Sequence, residues 1–164
     1  MSFVQYSWLF VFVVATHNLE EAIWLPAWSR TVGRWYRAVG STEFRFAVII
    51  LTLLAVVSAW LATVQGKASF GAYLVSGYAL AMLLNVLVPH VAASVVLRSY
   101  MPGTATAVLL NLPVAIGLLS RAFREGYIEL HAFLVWGPMV VIGIVVSIKL
   151  LFRMGRIFTE KEMS

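Results

Sequence analysis

Apolar runs long enough to cross a bilayer alternate along this chain with short loops that hold most of its charge. A spanning helix needs about 20 mostly apolar residues, and five stretches approach that length. The first, 3–25, is interrupted only by His17-Asn18-Leu19-Glu20-Glu21. The second, 46–64, and the third, 70–97, carry no charge, and the third is long enough to tilt or kink. The fourth, 104–120, is short. The fifth, 131–152, has Lys149 near its end, where a long side chain can reach the headgroups. The pattern predicts an all-α, polytopic transmembrane bundle of about five spans, forming one domain over residues 1–164. The first run is not expected to be a cleaved leader, because no basic residue precedes it and it contains two Glu.

Composition narrows the class. Apolar residues make up 62% and charged residues 12%, against roughly 45–50% and 25% in an ordinary globular chain. A chain of this size cannot hide so much apolar surface from water. A soluble enzyme, a disordered chain and a nucleic-acid module are therefore excluded. The net charge of +5 suits the negative cytoplasmic face of a membrane instead. Nine of the twelve basic residues fall on one side of a five-span chain: Arg30, Arg34, Arg37, Arg45, Arg98, Lys149, Arg153, Arg156 and Lys161. Lys67, Arg121 and Arg124 fall on the other. The positive-inside rule then places Ser2 outside and Ser164 in the cytoplasm of a multi-pass cell-membrane protein. Trp28, Trp35 and Tyr36 read as interfacial anchors. Cysteine is absent, which removes disulfides, thiolate metal sites and cysteine nucleophiles.

Chemistry is left to a few polar residues inside the spans: His17, Asn18, Glu20, Glu21, Asn85, His90 and Asn111. A mid-membrane carboxylate costs roughly 2.5–3.5 kcal/mol, whereas Leu or Phe returns about 0.3–0.6. With the predicted topology, His17, His90 and Asn111 all lie roughly 10–12 Å below the cytoplasmic boundary. On a helix, His17, Glu20 and Glu21 share a sector of about 100°, with Trp24 one turn on. Asn85 and His90 are about 140° apart on a straight helix, so they face one site only if the helix bends, and Pro89 supplies a reason. Ser94 lies one turn beyond His90 on the same face.

Two imidazoles and two carboxylates suit a divalent Zn, Fe or Mn ion, with His17, Glu20, Glu21 and His90 as candidate ligands. Helix-locking hydrogen bonds are the structural alternative. Such bonds average only about 0.6 kcal/mol in one measured case, far below the cost of inserting two carboxylates. Asn18 points away from this sector and is expected to pack on a neighbouring helix. Glu125, Glu129 and His131 are expected to be solvated at the outer end. Gly71, Gly77, Gly137 and Gly143 are expected to permit close helix packing. Residues 100–104, Tyr-Met-Pro-Gly-Thr, read as a tight turn with Thr104 as a helix cap.

Taken together, the His17…Glu20-Glu21 motif, Asn85, His90, and the stretch Leu97-Arg98-Ser99-Tyr100-Met101-Pro102-Gly103 followed by Asn111-Leu112-Pro113 resemble the HXXEE family. That is a group of small prokaryotic integral membrane proteins, and the resemblance covers about residues 7–120. It implies a membrane protein with these polar residues but no mechanism. The Glu pair and His90 are also similar in chemistry to the intramembrane metalloproteases that process CAAX proteins and bacteriocins. The Arg expected soon after the Glu pair is missing, as is a second His followed by Asn.

These observations point to a metal-dependent intramembrane enzyme acting on a lipid or membrane-anchored substrate. Glu20 or Glu21 would serve as ligand or general base, and Asn85 or Asn111 would stabilise an oxyanion. A carrier for protons, metal ions or small solutes stays open, as does an accessory subunit of a larger membrane complex.

Overall fold

The computed structural model describes residues 1–32 and 38–162. Arg34, Trp35, Tyr36, Arg37 and Ser164, which entered the topology and anchor expectations, lie outside the described residues. Among the described residues the chain is helical and contains no strand, as expected. Five long helices follow one another: α1 (Phe3–Thr31), α2 (Ser41–Gln65), α3 (Phe70–Val96), α4 (Thr104–Arg124) and α5 (Leu130–Glu162). Four of them, α2 to α5, are long and apolar enough to cross a membrane. α1 departs from the expected five apolar spans. It is long enough, but His17, Asn18, Glu20 and Glu21 dilute its hydropathy.

The helices outrun the apolar stretches that announced them. α1 continues past Leu25 through Pro26 to Thr31, and α2 begins at Ser41. α1 starts cleanly because Ser2 and Gln5 cap each other: Gln5 N–H donates to the Ser2 hydroxyl, and Ser2 N–H to the Gln5 side chain. The two inner helices are irregular. α3 kinks within Val86–Val91, where Val88 is non-helical at φ −136°, ψ 115° and two helical stretches meet. α4 widens into a π-type turn over Ala107–Asn111, just before Pro113. A proline has no N–H to give, and a widened turn accommodates the missing bond.

α1 packs on α2 and α4, α2 also on α3 and α5, and α3 also on α4 and α5. Side-chain pairs fix the directions. Asn18 reaches Val48 while Ser29 reaches Val39, so α1 and α2 are antiparallel. Phe3 N–H reaches Glu125 while His17 reaches Thr106, so α1 and α4 are antiparallel. Tyr73 stacks near Trp136 while Gly77 abuts Val140, so α3 and α5 are parallel. This alternation gathers Arg30, Arg45, Arg98, Arg153 and Arg156 at one end of the bundle.

The interior is built from small residues. Ala55, Ala59, Ala62, Ala72, Ala79, Ala115 and Ala122 are buried among Phe3, Phe10, Val14 and Leu118. Large apolar side chains face outward instead, among them Phe12, Leu53, Trp60, Leu109, Leu134 and Ile142. In water such a surface would aggregate; against lipid tails it is neutral, and close packing of small residues holds the helices. Gly71 and Gly77 mark close crossings. A Cβ on Gly71 would lie 2.4 Å from the α2 backbone, and one on Gly77 2.6 Å from Val140 Cβ. Gly143, expected to behave alike, has nothing within 4 Å.

The outer-end acids are corrected in part. Glu129 and His131 are exposed and pair at 3.3 Å. Glu125 instead accepts from Phe3 N–H at 3.1 Å, serving the first turn of α1, and pairs with Arg121 at 3.7 Å. An acid beside a helix N-terminus is stabilising.

Replacing Gly71 by Val forces the α2 and α3 backbones apart and is expected to cost about 1–3 kcal/mol, the usual range for overpacking. Gly143→Val should leave stability unchanged. Thermal unfolding in detergent compares the two, and equal melting temperatures would contradict this packing.

Candidate metal centre

Three side chains on two helices converge where α1, α3 and the start of α4 meet. His17 and Glu21 are one turn apart on α1. His90 follows the break at Val88 in α3, which turns it toward α1. Glu21 stands between the two imidazoles. Its Oε1 is 3.3 Å from His90 Nε2 and its Oε2 is 3.7 Å from His17 Nε2. The rings stand edge to face with centroids 4.8 Å apart. Both are fully buried, and Glu21 nearly so.

One donor atom from each residue lies within 4.8 Å of the other two. Two ligands about 2 Å from one tetrahedral ion stand about 3.3 Å apart, so a single cation fits with small adjustments. Among the described residues neither buried ring nitrogen of His90 makes a hydrogen bond, and Nε2 has the 3.3 Å ion-pair contact with Glu21 alone. A buried polar atom without a hydrogen bond costs roughly 1–3 kcal/mol, and a metal bond to Nε2 would offset part of that cost.

The state of His17 follows from its neighbours. The Thr106 hydroxyl donates to Glu20 Oε2 at 2.7 Å, which leaves Thr106 Oγ1 to accept from His17 Nδ1–H at 2.9 Å. The lone pair is thereby placed on Nε2, facing Glu21. Asn85 Nδ2 donates to that same Nε2 at 3.3 Å. A carboxylate or hydroxyl behind the far nitrogen is the usual way a metal-binding His is oriented.

Glu20, expected as a ligand or base, is not in the group. Its carboxylate accepts from the N–H groups of Gly103 at 3.0 Å and Thr106 at 3.4 Å, from the Thr106 hydroxyl, and from the Tyr100 hydroxyl. It caps the N-terminus of α4, where unpaired N–H groups and the helix dipole favour an anion. Loss of water contact, with Glu20 beside it, raises the Tyr100 phenol above its ordinary value. Gly103, not Thr104, holds the cap position, with φ 92°. A Cβ there would lie 2.6 Å from His90 Cε1 and 2.9 Å from Glu21 Cγ, so only glycine lets the turn lie flat over the site.

Other expectations resolve individually. Asn18 donates to Thr52 Oγ1 at 2.8 Å and to Val48 O, binding α1 to α2 as expected. Asn111 is buried, but neither amide atom has a hydrogen-bond partner, so no such bond ties it to the cluster. Ser94 bonds Thr104 Oγ1 and Met101 N–H rather than the His90 ring, and so holds the turn. Trp24 faces outward and takes no part. Thr106, Tyr100 and Gly103 were missed as site residues. The sign available in the sequence was the Pro-Gly turn opening a helix with no acid of its own.

His17, Glu21 and Asn85 also form one wall of a cavity of about 350 Å³ between α1, α2, α3 and α5. The rest of its lining is almost wholly apolar, including Leu51, Met82 and Ile144.

The chain matches the family model described as "Protein of unknown function with HXXEE motif" over residues 8–118. It is 36% identical over 146 residues to the uncharacterized protein YrkK of Bacillus subtilis (strain 168), covering 89% of this chain and 92% of that one. No solved structure matches.

Gly103→Ala should combine an unfavourable backbone with a clash on His90 and destabilise the protein by about 1–3 kcal/mol. Glu20→Ala should unfold more easily than Glu20→Gln, whose amide oxygen still accepts from Gly103. Detergent melts of the three variants test both statements.

Proposed function

This chain belongs to the HXXEE family, and from that premise we propose that it is a five-span membrane enzyme dependent on a divalent metal, acting on a lipid or membrane-anchored substrate. The observation that carries the reading is the His17–Glu21–His90 group, its imidazoles fully buried and Glu21 nearly so, with no hydrogen bond to the His90 nitrogens among the described residues and an open cavity on one side. Two His and one carboxylate form the ligand set of many catalytic zinc sites, and of iron sites that keep positions open for substrate. In such a site a bound divalent ion lowers the pKa of a water molecule toward neutrality.

The chain's own residues do the rest. Glu20 and Thr106 hold His17 in the tautomer that presents Nε2. Gly103 closes the side opposite the cavity. Asn85, lining the cavity with its amide 3.3 Å from His17 Nε2, is placed to donate to a substrate oxygen. A polar path from side to side is disfavoured, because the outer half of the bundle is packed with Phe3, Phe10, Ala59, Ala62, Ala72 and Leu118. That counts against a carrier.

The fifth span is α1. Its low hydropathy does not bar it, because its polar side is spent on α2, α3 and α4 while Phe12, Leu19 and Ile23 face outward. The end bearing Arg30, Arg45, Arg98, Arg153 and Arg156 is the cytoplasmic one by the positive-inside rule. The metal group therefore lies nearer the cytoplasmic leaflet, and the N-terminus lies outside. Reporter fusions should find the two termini on opposite sides of the membrane; the same side for both would reject five spans.

Purified protein should bind one Zn, Fe or Mn ion per chain, measured by elemental analysis after dialysis. His17→Ala, Glu21→Ala and His90→Ala should each abolish binding. Thr106→Val should weaken it about 10–100-fold, the usual cost of losing the group behind a metal-bound His, while Thr106→Ser should restore it. Wild-type protein without metal, indistinguishable from His90→Ala, would remove the proposal.

A further inference from the structure

The cavity beside the metal group has a mouth, and the mouth faces sideways. Of its lining residues, Leu84 and Val88 on α3 and Val145 on α5 are 46%, 68% and 47% exposed. All three are apolar and lie within helices able to cross a membrane. What lies outside this opening in a bilayer is therefore hydrocarbon. Further in, the walls are Ala47, Leu51, Ala81, Met82, Ile144 and Ile148, with Glu21, His17 and Asn85 set into one side. The cavity is thus mostly apolar: of its other polar residues, Asn18 and Tyr78 spend their donors on α2 carbonyls, which leaves Glu21, His17 and Asn85 as its polar station.

Shape separates the two substrate classes left open above. A helix with its side chains is about 10 Å wide, and to reach the polar station, which lies inside rather than at the rim, it would have to part α3 from α5. An alkyl chain is one carbon wide, and a cavity of about 350 Å³ lies in the range of small-molecule sites. Removing such a chain from the bilayer costs little, because the cavity wall is as apolar as the lipid it leaves. The polar end then determines which way the molecule lies.

We infer that the cavity takes up the acyl chain of a bilayer lipid, admitted sideways between α3 and α5, with the polar end of that chain at Glu21, His17 and Asn85. The inference rests on the metal-enzyme reading for its chemistry, but not for occupancy, which depends on cavity shape alone.

The test uses full-length protein in nanodiscs of phosphatidylcholine doped with a fatty acid carrying a diazirine near its terminal methyl. After irradiation, adducts are mapped by mass spectrometry. Adducts are expected at Ala81, Met82, Ile144 and Ile148 in excess of those on the outward-facing Leu53 and Ile142. Ala81→Trp and, on a separate helix, Ile144→Trp should each reduce this labelling to the level of the outward positions, so that failure of one variant to fold leaves the other to decide. His90→Ala should keep the labelling, and its persistence there separates chain uptake from metal binding. Labelling no greater inside than outside, or unchanged by both Trp variants, overturns the inference even if metal binds one to one. So does a parallel arm in which a transmembrane peptide carrying the same diazirine labels the cavity and the fatty acid does not.

Discussion

Two adjacent carboxylates within an apolar helix bundle are the constraint on which the rest of this structure depends. Neither Glu20 nor Glu21 can be left without a partner there. The fold answers them separately, because neighbouring residues on a helix point about 100° apart. Glu20 receives backbone N–H groups at the start of α4, together with the Thr106 and Tyr100 hydroxyls. Glu21 receives only two imidazoles. The first is a closed arrangement and the second an open one. The spacing of the HXXEE motif is thereby explained: one acid builds the turn that supports the site, and the other belongs to it.

The turn at Gly103 connects these two roles. Glu20 fixes its N–H groups, Ser94 fixes Met101 and Thr104, and the glycine lies against His17, Glu21 and His90 where no side chain would fit. The same Glu20 orients His17 through the Thr106 hydroxyl. Fold and site therefore share a hydrogen-bond network, and a change at Glu20 acts on both. The kink in α3 and the widened turn in α4 belong to the same region. The break at Val88 turns His90 inward.

A packing contrast divides the molecule. Away from the basic end, alanines and glycines bring the helices close. Toward the basic end, helices separate around a cavity with its opening on the apolar outer surface.

By itself the sequence determined the class of the protein, the number and approximate extent of its helices, the basic end of the bundle, and the convergence of His17, Glu21 and His90. These follow from hydropathy, charge and helix periodicity, which are local properties or sums over them. The depth argument worked because helix rise is constant, so positions along different spans can be compared. Tertiary structure decided what periodicity cannot resolve. Glu20 reaches the start of α4 and Trp24 faces outward, although both shared the predicted sector. Asn111 shares the predicted depth yet has no hydrogen bond to the cluster, because depth fixes a level and not a direction. The bend that brings Asn85 and His90 to one site was legible in Pro89, but the cap built from Gly103, Thr106 and Tyr100 was not. Its partners lie eighty or more residues from Glu20, and only the packing of α4 against α1 brings them together.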